Sequence, residues 1–108
     1  MSDAIYQNYI ANAFVESREH IEVHNPANGQ LLGRVPQGSS AEVEQAIAAA
    51  RQAQKAWAAR PAIERAGYLR TIAGKVREQA ERLARVITAE QGKVLELARV
   101  EVNFTADY

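Results

Sequence analysis

The chain has 108 residues, about one small domain, and 47% of them are apolar. Twenty-one of these are alanines and only 24 are Leu, Ile, Val or Phe, so a core can form but a thin one, better served if a neighbour covers one helix face. Thirteen basic residues balance thirteen acidic ones, which leaves no excess of cations to neutralise phosphates and argues against a nucleic-acid partner.

In chain order, MSDAIYQNYIANAFV has neither a basic opening nor an uninterrupted apolar stretch. No leader is expected from it. No run approaches the roughly 18 apolar residues of a membrane span, so a cytoplasmic protein without a membrane partner is the expectation. Tyr9, Ile10, Phe14 and Val15 flank Ala11–Asn12–Ala13 and read as a short strand pair or a strand and turn. Ile21 and Val23, then Leu31, Leu32 and Val35, form two further β-like runs. Between them, Asn25-Pro26-Ala27-Asn28-Gly29 carries strong turn signals. The expectation for residues 1–38 is therefore two or three short strands.

Residues 39–108 read as helical, with three to four helices. Ser39 and Glu42 have the spacing of a capping box, in which each side chain satisfies a free backbone N–H of the other. Val43, Ala46, Ile47, Ala50, Ala53 and Trp57 follow at helical spacing, which predicts a helix over Ser40–Ala59 with Trp57 in the core. Pro61 breaks that helix and suits the first position of the next. Ile63, Leu69, Ile72, Val76, Leu83 and Ile87 then keep the helical period to Gly92, a natural helix stop. The period itself leaves open whether a joint interrupts this stretch near Glu78–Gln79. Glu78 with Arg82, and Glu81 with Arg85, are spaced for ion pairs one turn apart. Val94–Tyr108 reads as a last helix with Leu97, Val100 or Glu101, Phe104 and Tyr108 on one side. It stops in mid-pattern, as a truncated piece of a larger domain would.

Chemistry is sparse. With no cysteine, the chain has no disulfide, thiolate zinc site or thiol nucleophile. His20 and His24 bracket an alternating, strand-like run, and four residues of strand separate their Cα atoms by about 13 Å, too far to share a zinc ion. Neither Asn28-Gly29 nor Pro36-Gln37-Gly38 resembles a phosphate-binding loop. Residue chemistry alone predicts a mostly helical domain without catalytic machinery.

The order of segments adds more. YIANAFV, then IEVHNPANGQLLGRVPQGS, then an alanine-rich helix ending in Trp57, then PAIERAGYLRTIAGKVREQAERLARVITAEQGK resembles the N-terminal section of the NAD(P)-dependent aldehyde dehydrogenases. Asn25-Pro26-x-x-Gly29, Glu64-Arg65 and Glu90-x-Gly92-Lys93 carry the likeness. PAIERA with VEVNFTADY resembles the branch acting on small aldehydes of the lactaldehyde or glycolaldehyde type. Ala11-Asn12-Ala13 departs from the pattern, since the family usually has Asn-Gly or Asp-Gly there.

The resemblance implies an N-terminal piece of an α/β, Rossmann-like cofactor domain. It also implies a parent reaction in which a cysteine thiolate attacks an aldehyde, hydride passes to NAD or NADP, and the thioester is hydrolysed. The cysteine, the general base and the nucleotide-binding motifs are absent here, so no cofactor is expected for this chain and it is expected to be inactive alone. Its expected partner is the remainder of such an enzyme, or further copies of itself. By carry-over, Val100, Phe104 and Tyr108 would line a substrate tunnel, and His24 and Glu90 would border a monovalent-cation site. The alternative is a self-standing helical module that assembles through its alanine-lined faces.

Overall fold

The computed structural model describes residues 4–108. They fall into two compact units. One comprises Leu31–Arg60 with the chain up to His24, and the other comprises Asn25–Gln30 with Pro61–Tyr108. This division places the first long helix with the strands, whereas a division after residue 38 separates strands from helices.

In the first unit, β1 (Asn8–Ile10) and β2 (Ala13–Val15) form an antiparallel hairpin. Its two turn residues, Ala11 (φ 51°) and Asn12 (φ 68°), are both left-handed. That is the geometry a two-residue hairpin requires, and it is one that glycine adopts most readily. Asn tolerates it, but for Ala the conformation costs about 1–2 kcal/mol. The Tyr9 hydroxyl donates to Asn12 Oδ1 at 3.0 Å, and the opposed rings of Tyr9 and Phe14 meet edge-on at 5.1 Å. Such a cross-strand aromatic pair offsets part of the turn's strain.

A second antiparallel pair joins β3 (His20–His24) to β4 (Leu31–Pro36), with a bulge between Val23 and His24. Residues 4–6 lie along β4: Arg34 N donates to Ala4 O at 2.8 Å and Tyr6 N to Arg34 O at 2.9 Å. Gly33 makes that approach possible, because a Cβ there would come within 3.0 Å of both the Ala4 carbonyl and the Tyr6 ring. Four short strands are therefore present among the described residues, against the two or three expected.

Helix α1 (Ser40–Ala59) begins on the predicted capping box: Glu42 N donates to Ser39 Oγ at 3.2 Å and Ser39 N to Glu42 Oε2 at 2.6 Å. It ends at Arg60 before Pro61, which holds the chain extended. No residue of α1 is buried. Trp57 is 41% exposed, so it is not the core residue that its place on the apolar stripe suggests. The periodicity identifies a stripe correctly but does not supply a surface to cover it.

The second unit is helical. Helix α2 (Ala62–Glu78) and helix α3 (Ala80–Gln91) are separate, since Gln79 leaves helical geometry (φ −108°, ψ 14°) and its N–H is shared between the carbonyls of Lys75 and Val76. The joint resets the helical phase. Glu81 and Arg85 still pair at 2.7 Å, but the expected Glu78–Arg82 pair is not made. Glu78 pairs with Lys75 at 3.2 Å, and Arg82 donates to Gln79 Oε1. Gly92 (φ 73°) closes α3, and a Cβ on it would come within 3.2 Å of Pro26 Cγ in the Asn25–Gln30 turn. That turn is held by Gly29 N donating to Asn25 O at 2.8 Å and Ala27 N to Asn25 Oδ1 at 2.9 Å.

Helix α4 (Leu95–Asp107) packs on α3 and α2. The core is Ala84 and Ala98, both 0% exposed, with Val102 at 4%, edged by Val76, Ala80, Leu83, Ile87 and Leu95. Alanine at the contact lets the two backbones approach closely, the arrangement that small residues favour in helix packing.

Candidate functional site

Helix α4 presents two faces. Ala98, Val102 and Ala106, four residues apart, point inward and are buried. Leu97, Val100, Phe104 and Tyr108 point outward, and the last three are 64%, 67% and 101% exposed. The three residues expected to line a tunnel therefore lie together on one side of one helix. Phe104 and Tyr108 stack with ring centroids 6.5 Å apart. Beside them, Leu69, Ile72 and Val76 of α2 and Ala106 and Tyr108 of α4 line a mostly apolar groove of about 270 Å³. Leu69 and Ile72 belong to the periodic stripe in the sequence. That they share a groove with Tyr108 depends on how α2 and α4 pack, which spacing along the chain does not encode.

Ion pairs fix the rotation of α4. Arg99 donates to both carboxylate oxygens of Glu81, at 2.8 and 3.0 Å, across 18 residues of sequence. Hydrogen bonding from Arg99, with the nearby charges of Arg99 and Arg85, holds the Glu81 carboxyl down at about 2. The same contact raises the Arg99 guanidinium further above its ordinary value. Arg77 reaches Asp107 at 2.6 Å, and Lys93 pairs with Glu101. One surface pair is weak, but pairs at Arg99, Glu101 and Asp107, spread along α4, together resist its turning. The apolar outer face stays outward as a result.

The other carried-over residues are less developed. His24 belongs to the first unit, where its Nε2 lies 3.1 Å from Glu22 Oε2, and Glu22 is also paired with Arg34 at 3.0 Å. Glu90 belongs to the second unit, on the exposed surface of the last turns of α3. Among the described residues no group of three His, Asp or Glu side chains is placed to hold a metal ion. No helix of the described chain is long and apolar enough to cross a membrane.

The residues present do not fit a dinucleotide. A pyrophosphate is held by free N–H groups at a helix N-terminus, normally behind a glycine-rich turn. All four helices here carry an acidic residue in the first turn, namely Glu42, Glu64, Glu81 and Glu96. At α1, Glu42 already occupies the cap. These carboxylates suit the helix dipole and repel a phosphate.

Comparison with known proteins shows the family and the fold. The profile of the aldehyde dehydrogenase family matches residues 14–108. The lactaldehyde dehydrogenase of Escherichia coli (strain K12) is 46% identical over 102 residues, which is 93% of this chain and 21% of that protein. The crystal structure of lactaldehyde dehydrogenase from Escherichia coli superposes with a TM-score of 0.93 at 44% identity, covering 96% of this chain and 22% of the other. NADP-dependent glyceraldehyde-3-phosphate dehydrogenase from Bacillus halodurans C-125, solved with NADP, superposes with a TM-score of 0.92 at 37% identity over 96% of this chain and 22% of its own. The fold is thus that of an N-terminal piece of these enzymes: short strands followed by helices. The chain spans about a fifth of the length of the relatives it matches.

Proposed function

We propose that this chain, which belongs to the aldehyde dehydrogenase family, is the N-terminal part of an NAD(P)-dependent enzyme that oxidises a small aldehyde to its carboxylic acid. The aldehyde is of the lactaldehyde or glycolaldehyde type. The likeness to Escherichia coli lactaldehyde dehydrogenase, in sequence and in fold, carries this reading. The outer face of α4 supports it, because Val100, Phe104 and Tyr108 offer a contiguous apolar wall with no partner inside the unit's own core.

Within such an enzyme, the wall's part is to strip water from a small aldehyde and set the width of its path. NAD(P)⁺ supplies the two-electron acceptor, and it is held outside this chain, whose helix N-termini are acidic. The thiolate nucleophile also lies outside it, since the chain has no cysteine. The reading includes a cytoplasmic location and assembly with the remainder of the enzyme.

The test is a pair of assays following NADH formation from lactaldehyde. The 108-residue chain alone is expected to be silent. Grafted in place of the matching fifth of the Escherichia coli enzyme, it is expected to support turnover, and Phe104→Ala in the graft is expected to raise KM for the aldehyde more than it lowers kcat. Turnover by the isolated chain would overturn the proposal. A second reading, a helical module that assembles with copies of itself, is favoured by the exposed Val43, Ile47 and Trp57 on α1. It predicts a single oligomeric species in sedimentation and a folded graft without activity.

A further inference from the structure

A cluster in the first unit lies outside the face just described. Glu42 stands at the third position of α1, and both of its carboxylate oxygens are engaged. Oε2 accepts from Ser39 N at 2.6 Å, which completes the capping box. Oε1 accepts from the Ser17 hydroxyl at 2.5 Å, and Ser17 is 25 residues earlier, in the bend between β2 and β3. A capping box requires only the local contact. The Ser17 contact is additional, and it ties a loop with little burial of its own to the start of a helix.

We propose that Glu42 is a positioning residue that pins the β2–β3 bend to the first turn of α1, and that protonating it releases both ends in one step. A neutral carboxyl cannot accept as strongly at two oxygens at once, because charge-assisted hydrogen bonds are roughly twice as strong as neutral ones. The charged groups around it come from the bend: Arg18 favours the carboxylate, while Glu16 and Glu19 oppose it. Gln37 and Gly38, which complete the surroundings with Ser39 and Ser40, bring no charge. The hydrogen bonds prevail: Ser17 first, then the Ser39 backbone, hold the carboxyl below its ordinary 4.5. With the folded value depressed, the pin is fully made above pH 4.5 and is lost as pH falls through the depressed value. The pin does not depend on the catalytic reading above.

The experiment is an NMR titration of the full chain from about pH 7 to about pH 2, a window spanning the carboxylate range. It follows the Glu42 carboxyl, the Ser39 amide proton and the Ser17 resonances. All three are expected to move together in one step below 4.5. Glu42→Gln should abolish that step and speed hydrogen exchange both in residues 16–19 and in the first turn of α1. Ser17→Ala should raise the Glu42 carboxyl and loosen the bend while Ser39 keeps its contact. Separate titration of Ser17 and Ser39, or a Glu42 carboxyl that does not move in Ser17→Ala, would overturn the proposal. The Ser17 variant decides the matter should Glu42→Gln fail to fold.

Discussion

Helix α1 and the α3–α4 pair are both rich in alanine, yet they do opposite things with it. In α3 and α4, Ala84 and Ala98 are wholly buried and hold two helices in close contact. In α1, twenty residues long, no side chain is buried at all. Alanine contributes little apolar area by itself. What it supplies is proximity, which matters only where a second helix arrives.

Ala98→Leu tests this most severely. Adding three carbons at a site with no exposed surface should cost about 1–3 kcal/mol through overpacking, while the same change at exposed Ala50 of α1 should stay within about 0.5 kcal/mol. Urea unfolding monitored by residue-resolved hydrogen exchange would measure both. Equal losses at the two positions would mean that α1 is covered after all. Next in size, Gly92→Ala should cost about 1–2 kcal/mol, because alanine resists the left-handed geometry that ends α3 and its methyl would press on Pro26. The loss should appear in exchange from α3 and not from α1.

In the other direction, Ala11→Gly should stabilise the β1–β2 hairpin. The relieved strain of about 1–2 kcal/mol is partly offset by the greater freedom of glycine in the unfolded chain, about 0.4–1 kcal/mol. A rise in melting temperature would show the net gain, and a fall would mean that the Ala11 methyl makes a contact of its own. The smallest effect concerns the Arg99–Glu81 contact. Its folded carboxyl lies near 2 against an ordinary 4.5, so the stability it lends is complete above 4.5 and lost as pH falls through 2. Glu81→Gln should flatten the pH dependence of stability in that window, and added salt should do the same.

Local features that carry a residue signature were legible in the sequence, and those without one, or needing distant partners, were not. The Ser39–Glu42 cap and the Gly92 stop are encoded within four residues, and both form as expected. The joint at Gln79 is invisible to periodicity, since apolar spacing continues through it and glutamine carries no turn signal. The left-handed pair Ala11–Asn12 is masked by an alanine that has no preference for that geometry. Arg99 with Glu81, and Ser17 with Glu42, lie 18 and 25 residues apart, and nothing along the chain announces either. The outer face of α4 was legible as a spacing: Val100, Phe104 and Tyr108 recur every fourth residue. That it faces away from its own unit became clear only when Ala98, Val102 and Ala106 were seen to fill the inner side.

The exposure of Trp57 has a practical side. It is the chain's one tryptophan and it sits on the helix that has no fully buried side chain. Its fluorescence is therefore a reporter for α1 alone, with an indole that already sees water in the folded state. Unfolding the chain should change its emission colour little, so a flat trace would be a poor sign of denaturation. Covering α1, by another copy or by a longer chain, should shift that emission to the blue and shield it from dissolved quenchers. A single exposed side chain thus gives an optical signal for assembly that stays nearly silent on folding.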